Sequence, residues 1–282
     1  MRSIAKLMKD WQFTGPNGVT TAVELPHTWN ARDGQDGGND YWRGCCTYCT
    51  RFAAPVYDPA QQQVWLQFEG VNASAAVLLN GQQLCAHDGG YSTFRAEVTE
   101  LLQAENQLTV RVDNSVNDRV YPQKADFTFY GGIYRDVSLL VVNKNHIALG
   151  HFGDTGVKIT PALKEGSADI QVETLVEGEG TVVVELLDAE GNSVARSEGA
   201  KASLHLDAPH LWNGVKDPYL YTCVVRLMQD GKPVDEVTTK VGLRSFSVDA
   251  KKGFFLNGKP YPLHGVSRHQ DRKGLGLSLI HI

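Results

Sequence analysis

Two stretches of this chain carry residues whose types and spacing can do chemistry. The first, Gly253 to Asp271, reads GFFLNGKPYPLHGVSRHQD. An apolar run from Phe254 to Leu256 meets Asn257-Gly258, a strong hairpin-turn signal, and Tyr261 to Leu263 resumes an extended pattern. Leu263 to Val266 then reads as a short buried strand that runs directly into Ser267, Arg268, His269, Gln270 and Asp271. A dense polar group at the C-terminal end of a buried strand is how an α/β barrel offers residues to a substrate. Alternation along an extended chain puts His269 and Asp271 on one side. The structural alternative is an ion pair between Arg268 and Asp271. The second stretch, Asp126 to Asp136, reads DFTFYGGIYRD. Rings stack on the apolar faces of sugars and carboxylates accept hydrogen bonds from their hydroxyls, so this loop suits a carbohydrate. A loop that packs its aromatics against a neighbouring domain has the same composition, and composition alone favours that use.

A third candidate is weaker. Cys46 and Cys49 have a metal-ligand spacing, but there is no second pair and no companion His-x-His, so they read as small strand residues. The five cysteines form no regular framework and read as reduced thiols.

The elements that must position these residues are strands. Helix signals are almost missing, and short alternating runs recur between turn signals, the pattern of sandwiches and jelly rolls. In the first half the runs are Ala22 to Leu25, Tyr41 to Phe52, Val64 to Phe68, Ala75 to Leu79, Gln82 to Cys85, Leu108 to Val112 and Val137 to Val142. A polar loop, His27 to Asp40, interrupts them, and Ala96 to Leu102 ends in a short helical turn at most. From Ile147 to Val241 about seven to eight further strands follow over roughly 100 residues, the number and spacing of an immunoglobulin-like sandwich. The expected layout is all-β: a jelly-roll sandwich over 1–145, an immunoglobulin-like sandwich over 146–247, and at 248–282 the truncated first strand of a (β/α)8 barrel, which without neighbours on both sides is expected to be poorly supported, with its apolar residues exposed.

With 282 residues, 42% hydrophobic content and 21% charge, the chain has the composition of a soluble globular protein with room for two cores. The net charge of −5 and the lack of any basic block argue against nucleic acid as a partner. No apolar run approaches the ~20 residues of a membrane helix. The N-terminus lacks the continuous apolar core of a signal peptide, so a cytoplasmic location is expected.

These residues together resemble the N-terminal portion of glycoside hydrolase family 2, and of its β-galactosidases in particular. The stretches that carry the resemblance are LPHTWN at Leu25, FEGVNASAAVLLNG at Phe68, HDGGYSTF at His87, VDNS at Val112, DFTFYGGIYRDV at Asp126, LWNG at Leu211, DPYLYT at Asp217, GLRSF at Gly242 and the Gly253 to Asp271 segment, in the family's order. The resemblance implies a jelly-roll sugar-binding domain, an immunoglobulin-like domain and then a (β/α)8 barrel that does the chemistry. It also implies hydrolysis of β-glycosides with retention, by two barrel glutamates about 5–5.5 Å apart. No Glu follows Glu236, so no catalytic residue is expected in this chain.

Three substrate-binding positions follow from the resemblance: Asp126, His269 and Asp271. Asp126 matches an aspartate that holds the sugar's 6-hydroxyl and helps bind a sodium ion, uses that suit a hard oxygen ligand; its structural alternative is a capped turn before a strand. Arg135, in the same motif, is expected to brace the loop. The residues call for no other cofactor, and any magnesium site would lie in the barrel beyond this sequence. Leu277 to Ile282 departs from the family's continuation.

The expected function is therefore that of the N-terminal part of an enzyme cleaving terminal β-D-galactosides, inactive on its own, with β-galactoside sugars as partners and a parent enzyme that can be homo-oligomeric. Two alternatives stand beside it: a non-catalytic carbohydrate-binding or assembly module, and the same family acting on β-glucuronides or β-mannosides. An aspartate in the Asp126 loop favours a neutral 6-hydroxyl over a uronate carboxylate, by a modest electrostatic margin at an exposed site.

Overall fold

A computed structural model describes residues 1–32, 41–125 and 127–278. The described residues are almost entirely strand and loop, with a single 3-10 turn at Thr99–Leu101. They form two compact units. One comprises Ser3–Val141 and the described residues from Arg268 on; the other comprises Met1–Arg2 and Val142–Ser267.

The strands of the first unit are β1 (Ser3–Lys6), β2 (Trp11–Thr14), β3 (Thr20–Val23), β4 (His27–Thr28), β5 (Cys45–Ala53), β6 (Gln62–Phe68), β7 (Val71–Asn72), β8 (Ser74–Leu79), β9 (Gln82–Asp88), β10 (Phe94–Glu97), β11 (Glu105–Asp113), β12 (Gly132–Ile133) and β13 (Val137–Asn143). They make a six-stranded sheet in the order β3-β2-β5-β11-β8-β9, a four-stranded sheet in the order β1-β13-β6-β10, and a small sheet β4-β12-β7. All pairings are antiparallel. This is a jelly-roll-type sandwich.

Its register follows from alternation. In β5, Cys46, Tyr48, Thr50 and Phe52 point inward and the residues between them point out. Facing them in β11 are Val112, Val110, Leu108 and Asn106, so inward residues meet inward residues. β13 is buried along nearly its whole length, and Leu139 and Val141 join Val64, Leu66 and Phe68 in the core. The turn between β8 and β9 is Asn80-Gly81, both at positive φ, as a two-residue hairpin demands. Asn80 is held there: its amide nitrogen donates to Leu101 O and Asn106 Oδ1, and its Oδ1 accepts from Gln107 N. The sequence reading missed β1 and β2, which lie within a segment whose apolar residues Ile4, Leu7, Met8 and Trp11 fall at helical rather than strand spacing.

The strands of the second unit are β14 (His146–Ile147), β15 (Val157–Lys164), β16 (Ser167–Thr174), β17 (Val176–Glu177), β18 (Thr181–Leu187), β19 (Ser193–Glu198), β20 (Lys201–Asp207), β21 (Tyr221–Gln229), β22 (Lys232–Val241), β23 (Phe246–Asp249), β24 (Gly253–Leu256) and β25 (Lys259–Pro260). Two sheets, β15-β16-β20 and β19-β18-β21-β22, enclose a core that includes Ile170, Val172, Val184, Leu186, Cys223 and Leu227. This is the immunoglobulin-like sandwich. Arg2 is anchored in this unit. Its guanidinium pairs with the fully buried Asp235 at 2.5 and 2.7 Å, and Asp235 also accepts from Ile147 N at 2.8 Å.

The hairpin expected around Asn257-Gly258 is present as β24 and β25, and Asn257 is tied to Trp212 O, Asn213 Oδ1 and Ser245 N. The barrel strand read at Leu263 to Val266 does not form, and its apolar residues are exposed, as expected of a barrel strand that has lost its neighbours. Residues 261–271 carry no strand, and Leu263 and Val266 are 69% and 92% exposed. Among the described residues none offers this segment a neighbouring strand, and an extended segment without a ladder partner does not hold its shape. Among the described residues no helix is long and apolar enough to cross a membrane.

Candidate functional site

The motifs singled out in the sequence converge on the first unit through two buried asparagines. Asn30, last residue of LPHTWN, and Asn114, in VDNS, are each 0% exposed. The Asn114 side-chain amide donates to Asn30 Oδ1 at 3.1 Å and to Phe129 O at 3.0 Å, while its own Oδ1 accepts from Gly44 N at 2.8 Å. Asn30 Oδ1 also accepts from Gly131 N at 2.8 Å, and its Nδ2 donates to Trp42 O at 2.8 Å. Thr28 Oγ1 donates to Gly131 O at 2.7 Å. Two chain segments far apart in sequence, at Thr28 and Asn30 and at Asn114, thus fix the course of the aromatic loop by side chain to backbone bonds. A buried polar network of this kind specifies one arrangement because each unmade bond is costly.

Around that loop the surface is aromatic. Trp29 meets Trp42 edge to face, with ring centroids 6.1 Å apart, and stacks on Phe13. Phe127 lies against Phe129, and the Arg43 guanidinium sits 5.3 Å from the Phe129 ring centroid. Such rings suit the apolar faces of a sugar. The Arg135 guanidinium lies over the ring of the adjacent Tyr134, whose hydroxyl donates to Gly90 O. Beneath the loop, His27 Nδ1 shares a 2.7 Å hydrogen bond with Tyr48 Oη. Burial pushes the imidazole down to about 4 and the phenol well up, so both are neutral at pH 7.

The three sequence-derived candidates have different outcomes. Asp126 lies outside the described residues. Asp271 is exposed and accepts a hydrogen bond from the Tyr130 hydroxyl at 2.6 Å, so its partner is that phenol rather than the Arg268 guanidinium. His269 is exposed two residues earlier. With no strand over 263–271, strand alternation does not set how the two are placed; Asp271 is held by its bond to Tyr130. Cys46 points into the core while Cys49 lies on the opposite face of β5, so the pair does not converge on a metal. Among the described residues no cluster of three or more His, Cys, Asp or Glu could hold a metal ion. Asn30, Asn114 and Tyr130 were not selected from the sequence; the signal available was their place inside otherwise apolar or aromatic motifs.

Comparison with known proteins fits this geometry. A family model described as Glycosyl hydrolases family 2 matches residues 151–244, and one described as Glycosyl hydrolase 2 galactose-binding domain-like matches residues 39–162. The chain belongs to glycosyl hydrolase family 2. It is 36% identical to a β-glucuronidase of Bacteroides fragilis, over 97% of this chain and 42% of that protein, and 32% identical to a β-galactosidase of Bacteroides ovatus, over 96% of this chain and 35% of that protein. Among solved structures it resembles an FMN-binding β-glucuronidase from Facaelibacterium prausnitzii L2-6 with a TM-score of 0.94 and 37% identity, over 99% of this chain and 45% of that one. A putative β-galactosidase from Bacteroides fragilis gives 0.92 and 37%, over 99% and 46%. The chain therefore spans less than half the length of each of these relatives.

Proposed function

We propose that this chain is the sugar-facing N-terminal part of a β-glycosidase whose substrates are β-glucuronides. The observation that carries this is its 36% identity to a β-glucuronidase over 97% of its length, in company with a β-glucuronidase structure at a TM-score of 0.94. The charge of the docked segment agrees: Arg268, Arg272 and Lys273 flank Asp271, and a uronate carboxylate needs cations nearby. In this reading Asp271 and His269 bond sugar hydroxyls, and the aromatic loop lines the entrance. In this reading the acid–base and nucleophilic carboxylates are those of a family barrel, in keeping with relatives more than twice as long as this chain.

β-Galactosides are the second reading. They are favoured by the Bacteroides ovatus relative and by the aspartate at position 126, with its implied hold on a 6-hydroxyl and a sodium ion. The test is a comparison of p-nitrophenyl β-D-glucuronide and p-nitrophenyl β-D-galactoside, using the polypeptide expressed from the complete coding region. A kcat/KM at least 100-fold higher on the glucuronide is expected, and the reverse ratio establishes the galactoside. The 282-residue chain by itself is expected to turn over neither.

A further inference from the structure

We propose that Tyr130 is a positioning residue whose hydroxyl sets the orientation of the Asp271 carboxylate and holds the turn that follows it onto the first sandwich. Tyr130 is suited to this because it is fixed at every other point. Its ring is only 2% exposed, and its backbone carbonyl accepts from the buried Asn72 amide at 2.7 Å. Its hydroxyl donates to the exposed Asp271 at Oδ2, at 2.6 Å. A phenol on a rigid ring is a directional donor with few rotamers to lose. Asp271 Oδ1 is left without a partner among the described residues and can accept from a ligand hydroxyl.

The residues after Asp271 form a tight loop that depends on the same ring. Gly276 N donates to Arg272 O at 2.8 Å, and Arg272 N donates to Gly276 O at 3.2 Å, closing the loop on itself. Gly274 N then donates to Ala31 O at 2.7 Å, next to Asn30. Gly276 lies flat against the Tyr130 ring and the Thr28 methyl. A Cβ there would be 2.6 Å from Tyr130 Cδ1, and φ is +55°. Ser278 beyond it is buried. Asp271 is therefore held from one side by the phenol and from the other by a loop docked on that phenol's ring.

The sugar-binding use of Asp271 rests on the glycosidase reading above; its positioning by Tyr130 does not, and two measurements separate them. In hydrogen exchange on the 282-residue chain, Tyr130→Phe is expected to speed exchange at the Gly274 and Gly276 amides at least tenfold. Asp271→Ala should do the same, and the double variant should add nothing. Asp271→Asn, whose side-chain carbonyl still accepts from the phenol, should stay within threefold of wild type, a rescue that mere loss of packing does not allow. Unchanged exchange in Tyr130→Phe overturns the positioning role. In an NMR titration with methyl β-D-glucuronide, Tyr130→Phe is expected to weaken binding at least tenfold. Equal affinity in wild type and Tyr130→Phe overturns the orientation of Asp271 for a sugar. Accelerated exchange with no binding by wild type upholds the positioning and overturns the sugar assignment.

Discussion

Asn30 and Asn114 lie 84 positions apart, are both fully buried, and join through a 3.1 Å hydrogen bond from the Asn114 amide to Asn30 Oδ1. Through Gly131 N and Phe129 O the pair holds the aromatic loop at two points. Asn114→Ala leaves the Gly44 amide and the Phe129 carbonyl unpaired in the interior. The expected loss is about 2–4 kcal/mol, read from urea unfolding followed by Trp fluorescence. Asn114→Asp keeps an acceptor for Gly44 but loses the donor to both Asn30 and Phe129 and buries a carboxylate facing their two oxygens, so it should cost at least as much as alanine.

The pairing of Arg2 with Asp235 predicts a large effect from a residue near the chain's start. Arg2→Ala removes the only side-chain cation that, among the described residues, pairs with a carboxylate that is 0% exposed, leaving Ile147 N as the remaining donor there. Breaking one side of a buried pair costs about 3–5 kcal/mol. Replacing both residues, as Arg2→Met with Asp235→Leu, should recover most of that. Thermal unfolding of the two variants against wild type measures it, and equal loss in both would argue against an uncompensated charge as the cause.

His27 sets a pH dependence whose sign is fixed by its burial. Its folded-state value near 4 lies below the unfolded value near 6.5, so between these limits the unfolded chain binds more protons than the folded one. Stability from this residue is therefore intact above about pH 6.5 and is lost as pH falls toward 4, by about 3 kcal/mol at most. Urea midpoints taken across pH 7 to 4.5 should show this fall. In His27→Gln, which keeps a polar contact to Tyr48 without a titrating ring, the component should vanish.

Gly276→Ala tests how closely the loop is seated. The added methyl meets a buried ring on a rigid backbone, and the positive φ adds strain, so the loop must lift. Because few other contacts depend on it, the global midpoint should move by less than about 1 kcal/mol while limited proteolysis at Arg268, Arg272 or Lys273 becomes several-fold faster. A shift of the midpoint without faster cleavage would contradict the docking described.

Much of the fold was legible because β-sandwiches write their registers locally. Cys46 to Phe52, Leu108 to Val112 and the runs of the second sandwich alternate cleanly, and Asn80-Gly81 and Asp230-Gly231 mark their hairpins. β1 and β2 were not legible, since the strands are only four residues long and are completed by β13, β3 and β5 rather than by their own pattern. The Leu263 to Val266 segment has the composition of a strand, but composition supplies no neighbour, and the exposure expected from that lack is what the structure has. At the site, Asp271 was found from its motif, whereas its partner Tyr130 could not be. A phenol 141 positions away becomes relevant only once the segment folds back.

The hairpin turns at Asn80 and Asn257, two of the four Asn-Gly pairs in the sequence, bear on how the protein ages. Loss of ammonia from such a pair requires the asparagine's side-chain carbon to swing onto the glycine nitrogen and close a five-membered ring. Asn80 and Asn257 each have both ends of the carboxamide engaged by neighbouring groups. That swing is blocked while the hairpins stay shut, so conversion to isoaspartate at either position is a chemical clock that runs only when the turn has opened.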